Sequence, residues 1–358
     1  MGPPISRNLH RTAKKTPSKA PAKTPKTKAP VSETGPTSSL PVDLLQLLLN
    51  IFRNAFPERL STDITPLLQE VKGHLYNRDF STAFGKEEYL ETYAVRWSPS
   101  RTLCYLEILY NLQDELKPSK SESQEGEDAN WNIVGLGGGA GAEIVALGGL
   151  LKLFATTNED EHTAKMNIAA IDIADWANVI KQLHSGIVTK PPLSKYASTA
   201  AQSANNALTS PSSFAVTFHQ HDVLNLPPET LARLVENAHL ITLLFTLNEL
   251  YTSSLSLTQK FLLNLTTALA PGTHLLVVDS PGSYSTVSLN DTDKKYPMQW
   301  LLDHTLLQPP GSAKADAAPR WEKLQEEESK WFRLPGGLRY PIELENMRYQ
   351  LHLYRRCG

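Results

Sequence analysis

The chain has 358 residues, 41% of them hydrophobic, with 35 Lys and Arg against 37 Asp and Glu and a formal net charge of −2. This size and apolar content predict one large globular domain, or a domain with an appendage. No run approaches the roughly 18–20 consecutive apolar residues of a membrane helix, residues 1–40 lack the apolar stretch of a secretory signal, and two cysteines, Cys104 and Cys357, are too few for a disulfide framework or a cysteine zinc site.

Residues 1–40 hold eight basic residues, from Arg7 to Lys28, against the single acid Glu33, together with seven prolines. They have too little apolar surface to offset the entropy of ordering, so a disordered basic tail is expected. It reads either as a solvated extension or as an electrostatic arm for RNA, doubling as a nuclear or nucleolar address. Residues 41–117 read as a helical region. Leucines follow Pro41 densely, Asp63 caps a second helix through Leu75, and a third spans Glu87–Val95. Pro99 is expected in the first turn of a further helix, capped by Ser98. Residues 118–129 (KPSKSESQEGED) form a polar linker.

From residue 130 the pattern alternates between strands and helices, which predicts an α/β domain over 130–358 with a mostly parallel sheet. Strands are expected at 131–136, 167–172, 214–219, 239–246 and 274–279. Helices are expected near 140–154, 174–185, 228–237 and 255–269. Residues 186–212, rich in Ser, Thr, Ala, Asn and Pro, interrupt the scheme as a flexible surface insertion. Residues 330–334 and 347–356 complete the strands.

The first strand runs into Gly135-Leu136-Gly137-Gly138-Gly139-Ala140-Gly141, which opens a helix. Such a turn permits positive φ and close approach, and the helix start presents free N–H groups, which suits a nucleotide-like cofactor. The dinucleotide pattern is partly met, with Ala140 at its third position. The second strand ends in Asp172, placed to accept ribose hydroxyls, but 31 residues past Gly141; a dinucleotide domain puts its acid about 20 residues on. After the third strand, Asp222 is placed for an adenine amine. The neighbouring His219 and His221 have no accompanying ligands and read as a surface pair, so no metal is expected. Asn248 and Glu249 follow the fourth strand, and Asp279 and Tyr284 the fifth. All lie at the carboxyl ends of the strands, where ligands of open α/β sheets bind.

The blocks Tyr93–Arg101 (YAVRWSPSR), Phe245–Tyr251 (FTLNELY), Leu275–Ser285 (LLVVDSPGSYS), Tyr296–Leu306 (YPMQWLLDHTL), Trp331–Leu334 (WFRL) and Glu343–Arg355 (ELENMRYQLHLYR) resemble the fungal 25S rRNA (uridine-N3)-methyltransferase family. The resemblance covers roughly 41–357, excepting 186–212. It implies a class I Rossmann-like sheet of seven strands, the last antiparallel, with a helical N-terminal extension. It also implies S-adenosylmethionine as cofactor, held by Gly135, Gly137, Gly138 and Gly139 at its methionine part, Asp172 at the ribose and Asp222 at the adenine, with Asn248 beside them.

Removing the weakly acidic proton of a uridine N3 calls for a general base; Glu249 and Asp279 are the candidates, with Asn248 orienting the base. A target base drawn from its stack meets Tyr284, Trp97 or Trp300, and Arg96, Arg101, Arg348, Arg355 and Arg356 are candidates for phosphate. The expected partner is ribosomal RNA or a pre-ribosomal particle, with no membrane, in the nucleus, the nucleolus or the cytoplasm. Three alternatives remain at the level of sequence: a protein or small-molecule substrate, a non-catalytic scaffold and a nicotinamide oxidoreductase.

Overall fold

The computed structural model describes residues 40–117, 130–157, 164–282, 284–289, 292–307 and 320–358. The basic tail through Ser39 and the polar linker 118–129 lie outside the described residues. Nine strands are present among the described residues: β1 (Asn130–Leu136), β2 (Lys165–Asp172), β3 (Phe214–Gln220), β4 (Leu240–Leu244), β5 (His274–Asp279), β6 (Tyr284–Leu289), β7 (Thr292–Pro297), β8 (Trp321–Phe332) and β9 (Met347–Arg356). Seven form one sheet in the order β3-β2-β1-β4-β5-β9-β8, and β6 and β7 make a separate hairpin. β1 to β5 run parallel. β9 pairs antiparallel with both β5 and β8, so it alone is reversed. This is the expected sheet, reversed final strand included.

The strands alternate faces, as period-two geometry requires. Ile133, Leu240 and Leu276 face one core, and Val134, Ile241 and Leu275 face the other. The first core is closed by the helices Val42–Ala55, Glu87–Asn111, Ala142–Thr157 and Ala177–Val188. The second is closed by Pro228–Leu234, Leu255–Ala268 and Met298–Leu306. The N-terminal helices therefore share the sheet's core. A Cβ on Gly149 would stand 3.0 Å from Leu48 and 3.2 Å from Leu106, which shows how closely their helices cross that of the glycine loop.

At three places the structure adds to or departs from the local expectations. The helix Glu87–Asn111 is continuous over 25 residues, with Pro99 inside it and no break at Ser98. Proline removes the N–H that would bond the carbonyl four residues back. That carbonyl, Val95 O, instead accepts the Tyr340 hydroxyl at 3.0 Å, so a distant loop supplies the missing donor. The insertion 186–212 contains the helix Thr199–Ala204 and is fastened at points: Leu208 is buried, and the Asn205 amide donates to Pro191 O at 2.8 Å. Strand β8 is also longer than the expected 330–334, beginning at Trp321.

Candidate functional site

The glycine turn sits at the carboxyl end of β1, between the ends of β2 and β4. Gly137 has φ +80° and Gly141 +79°, conformations costly for other residues. The Gly137 N–H donates to Ile171 O at 2.7 Å. Around this turn, the missing Cβ atoms make room for the protein's own groups. A Cβ on Gly137 would stand 2.3 Å from the Thr246 hydroxyl, and one on Gly139 2.0 Å from the Trp176 ring. On Gly135 and Gly138 it would stand 2.7 and 3.2 Å from the Glu143 carboxylate.

Glu143 is a site residue that pattern reading missed. It lies in the first turn of the helix after the glycines, 4% exposed, and accepts the hydroxyl of Thr242 from β4. Burial pushes its carboxyl up to about 7, against the opposing effect of that hydrogen bond. The signal was an acid directly behind a glycine loop. It was overlooked because an acid in a helix's first turn is also ordinary dipole compensation.

Asp172 is held on both oxygens. Gly139 N–H donates to Oδ2 at 3.0 Å and Ala174 N–H to Oδ1 at 3.2 Å, so the acid clamps the glycine turn to the end of β2. Burial raises its carboxyl above the usual range, and these bonds oppose the rise. The next residue, Ile173, is 62% exposed, an apolar surface at the same edge. Asp222 folds its own turn, accepting from Leu224 N–H at 3.0 Å and the Asn225 amide at 2.6 Å. His219 and His221 stack with ring centroids 6.5 Å apart. Among the described residues no group of three or more His, Cys, Asp or Glu could hold a metal.

At the end of β4 the backbone is strained. Phe245 has φ +58°, unusual for so bulky a residue, and its N–H donates to Val278 O at 2.7 Å. The helix Leu247–Ser253 starts immediately after. Asp279, 3% exposed, accepts from Asn248 N–H at 3.0 Å and from Ser280 N–H at 2.7 Å. It ties the two loops together, and burial pushes its carboxyl up to about 6 despite those bonds. Glu249 differs: its Oε2 accepts no hydrogen bond among the described residues, and its nearest cation is Arg78 Nη1 at 3.6 Å. Arg78 itself has φ +57° and comes from the N-terminal helical region.

The middle of the long N-terminal helix forms the opposite wall. Ser98 donates to Ala140 O at 2.7 Å and Thr102 to Ala142 O at 2.9 Å, fixing this helix on the glycine loop. Arg101 donates to the Tyr93 hydroxyl at 2.7 Å and lies 5.5 Å from the Phe245 ring centroid, joining the wall to the end of β4. Phe84, Tyr93, Trp97 and Trp176 form one aromatic cluster, with centroids 4.7 to 5.8 Å apart from Tyr93 to the other three or from Phe84 to Trp176. Arg96 pairs with Glu345, while its buried Nη1 has no partner among the described residues.

The structure thus brings the glycines, Asp172, Asn248, Glu249, Asp279, Arg101 and Trp97 to one edge. Trp300 is exposed on the helix Met298–Leu306, stacked with Tyr296. Arg355 pairs with Glu322, and Arg356 donates to Thr266 O and Arg320 O, which are structural bonds. The Tyr284 side chain lies outside the described residues.

A sheet of this order with one reversed strand, carrying a glycine turn and acids at successive strand ends, defines a class I, Rossmann-like cofactor-binding domain. A family model described as "Putative SAM-dependent methyltransferase" matches residues 52–355. The chain belongs to this family of S-adenosylmethionine-dependent methyltransferases. It is 35% identical over 329 residues to the 25S rRNA (uridine(2843)-N(3))-methyltransferase of Saccharomyces cerevisiae, covering 86% of this chain and 85% of that protein. Solved structures similar to it include human N-acetylserotonin methyltransferase in complex with SAM (13% identity, TM-score 0.34, 78% of this chain and 59% of that one). Another is the N-methyltransferase NodS of Bradyrhizobium japonicum with S-adenosyl-L-homocysteine (13% identity, TM-score 0.34, 81% and 98%).

Proposed function

We propose that this protein methylates N3 of a uridine in large-subunit ribosomal RNA. The observation that carries this reading is the identity with the yeast enzyme, which extends over nearly the whole of both chains. S-adenosylmethionine supplies the electrophilic methyl group. The residues at the sheet edge fit it: a glycine turn in positive φ, the Asp172 carboxylate at the end of β2 and the exposed apolar Ile173 beside it.

The protein's own task is alignment and one proton. Asp279 holds the loops after β4 and β5 in register through Asn248 and Ser280, and Arg101 with Phe245 closes the wall facing them. Both Asp279 oxygens are engaged, so Glu249 is the better base. Its side chain is half-exposed, and the carboxylate would take the imide proton as N3 attacks the methyl carbon and the methyl–sulfur bond breaks, with S-adenosylhomocysteine leaving. Arg78 Nη1, 3.6 Å from Oε2, aims the carboxylate. Trp97 and the aromatic cluster offer a flat surface for a base drawn from its stack. Arg96, held by Glu345, and Arg101, held by Tyr93, lie on the same helix beside it. The basic tail and the ribosomal particle it would engage belong to the same reading, as does a nuclear or nucleolar address.

The test is genetic and chemical together. In cells lacking the protein, large-subunit rRNA should lose one N3-methyluridine, restored by the wild-type gene and not by Glu249→Gln. Unchanged N3-methyluridine in the deletion would overturn the reading.

A further inference from the structure

Far from the glycine loop, the last two strands carry an aromatic residue that the methyl-transfer chemistry does not use. Trp331 is 49% exposed near the end of β8. Arg333 lies with its guanidinium carbon 4.2 Å from the Trp331 ring centroid. Arg348, its cross-strand partner on β9, lies at 5.9 Å from that centroid and donates to Ser329 Oγ at 2.7 Å. Among the described residues, neither arginine pairs with a carboxylate. The nearby acids are engaged elsewhere: Glu327 with Lys330 at 3.5 Å, and Glu345 with Arg96. Glu328 is the remaining exposed acid at this end of the strand.

Position gives the group its meaning. β8 runs in the direction of β1 to β5, so Trp331 lies at the same edge of the sheet as the strand ends that carry the site. Asp279 pairs with Gln350 on β9, and Arg348 is two residues nearer that edge. With strands about 4.8 Å apart and a rise of about 3.3 Å per residue, the Trp331 backbone stands roughly 12 Å from that of Asp279. A single strand of RNA entering the site spans that distance within a few nucleotides.

We propose that Trp331, Arg333 and Arg348 form a docking platform for single-stranded RNA flanking the target uridine. A base displaces one guanidinium from the indole face and stacks there, and the arginines take the phosphates on either side. The chemistry is sequence-tolerant, because every base has a π face. The platform rests on the ribosomal RNA reading and assigns that substrate a second contact outside the reacting site.

The experiment uses the full chain and a fluorescein-labelled oligouridylate, read by anisotropy across a salt series. Wild-type binding should weaken by about 5- to 150-fold in Trp331→Ala, the range that base–aromatic stacking provides. Trp331→Phe should recover most of it. Arg333→Ala with Arg348→Ala should lower the salt slope by about 1.4, the value for two phosphate contacts on a single strand. S-adenosylmethionine binding, measured by calorimetry, should stay unchanged in all of them, which controls for folding. Wild-type binding with an unaltered Trp331→Ala variant overturns the platform and leaves the function standing. A wild-type protein that neither binds the oligomer nor methylates rRNA overturns the function, and the platform with it.

Discussion

Glu143 shows what a single residue contributes that patterning did not disclose. The reading of the glycine loop as a place where backbone approaches ligand was incomplete. Gly135, Gly137 and Gly139 first let Glu143, Thr246 and Trp176 approach the backbone, and that packing sets the loop's shape. Gly137→Ala combines a left-handed backbone with a collision at Thr246, so it should cost at least about 1–3 kcal/mol, seen as a lower midpoint in urea. The Glu143 carboxyl titrates near 7 in the fold and about 4.3 when unfolded. A raised acid binds its proton more tightly in the native state, so stability falls as pH rises through this window and levels off above it. Glu143→Gln should remove its share of that slope, leaving the part that the raised Asp279 contributes, and thermal midpoints of the two proteins across pH 4 to 8 should diverge; parallel curves would contradict this. For Glu249→Gln, kcat should fall by about 10²–10⁴ while S-adenosylmethionine affinity holds, as for a lost general base. Equal loss of cofactor binding would assign Glu249 a different role.

At the scale of elements, β1, β4 and β5 were legible as nearly continuous buried apolar runs and the edge strand β3 by its alternation, and all five parallel strands were placed within two residues at each end. β8 was legible only at its end. Its sequence, WEKLQEEESKWF, buries Trp321 and Phe332 and exposes a run of charge between them, the profile of an edge strand. The hairpin β6–β7 was missed altogether; its strands pair only with each other, outside the main sheet. The long helix was cut at Pro99 because its rescue comes from Tyr340, 245 residues from Val95 and invisible to any local rule. Tyr340→Phe should cost about 1–3 kcal/mol, since it orphans a buried carbonyl. In a Pro99→Ala background the restored N–H should meet that carbonyl, and the cost should shrink. A double-mutant cycle in urea reads the coupling directly, and strict additivity would contradict it.

At the scale of the molecule, the N-terminal helices are part of the catalytic body. They share one core with the sheet, their serine and threonine hydroxyls grip the glycine loop, and Arg78 and Arg101 reach the ends of β4 and β5. The sequence suggested a helical region ahead of a Rossmann-like domain and offered its Arg96, Trp97 and Arg101 to the substrate, but not the bonds from Ser98 and Thr102 that fix it on the glycine loop. Such contacts between distant segments leave no periodicity to read. The resemblance of the later blocks supplied the family, and three of them reach one edge of the sheet: Phe245–Tyr251 follows β4, Leu275–Ser285 carries the end of β5, and Trp331–Leu334 carries the end of β8. The most direct measurement joins all of this. The purified protein is incubated with methyl-labelled S-adenosylmethionine and an unmethylated large-subunit rRNA transcript, and the nucleosides are separated by mass spectrometry. The account predicts label in N3-methyluridine at one position, abolished in Glu249→Gln; label in another nucleoside, or none in RNA, would contradict it.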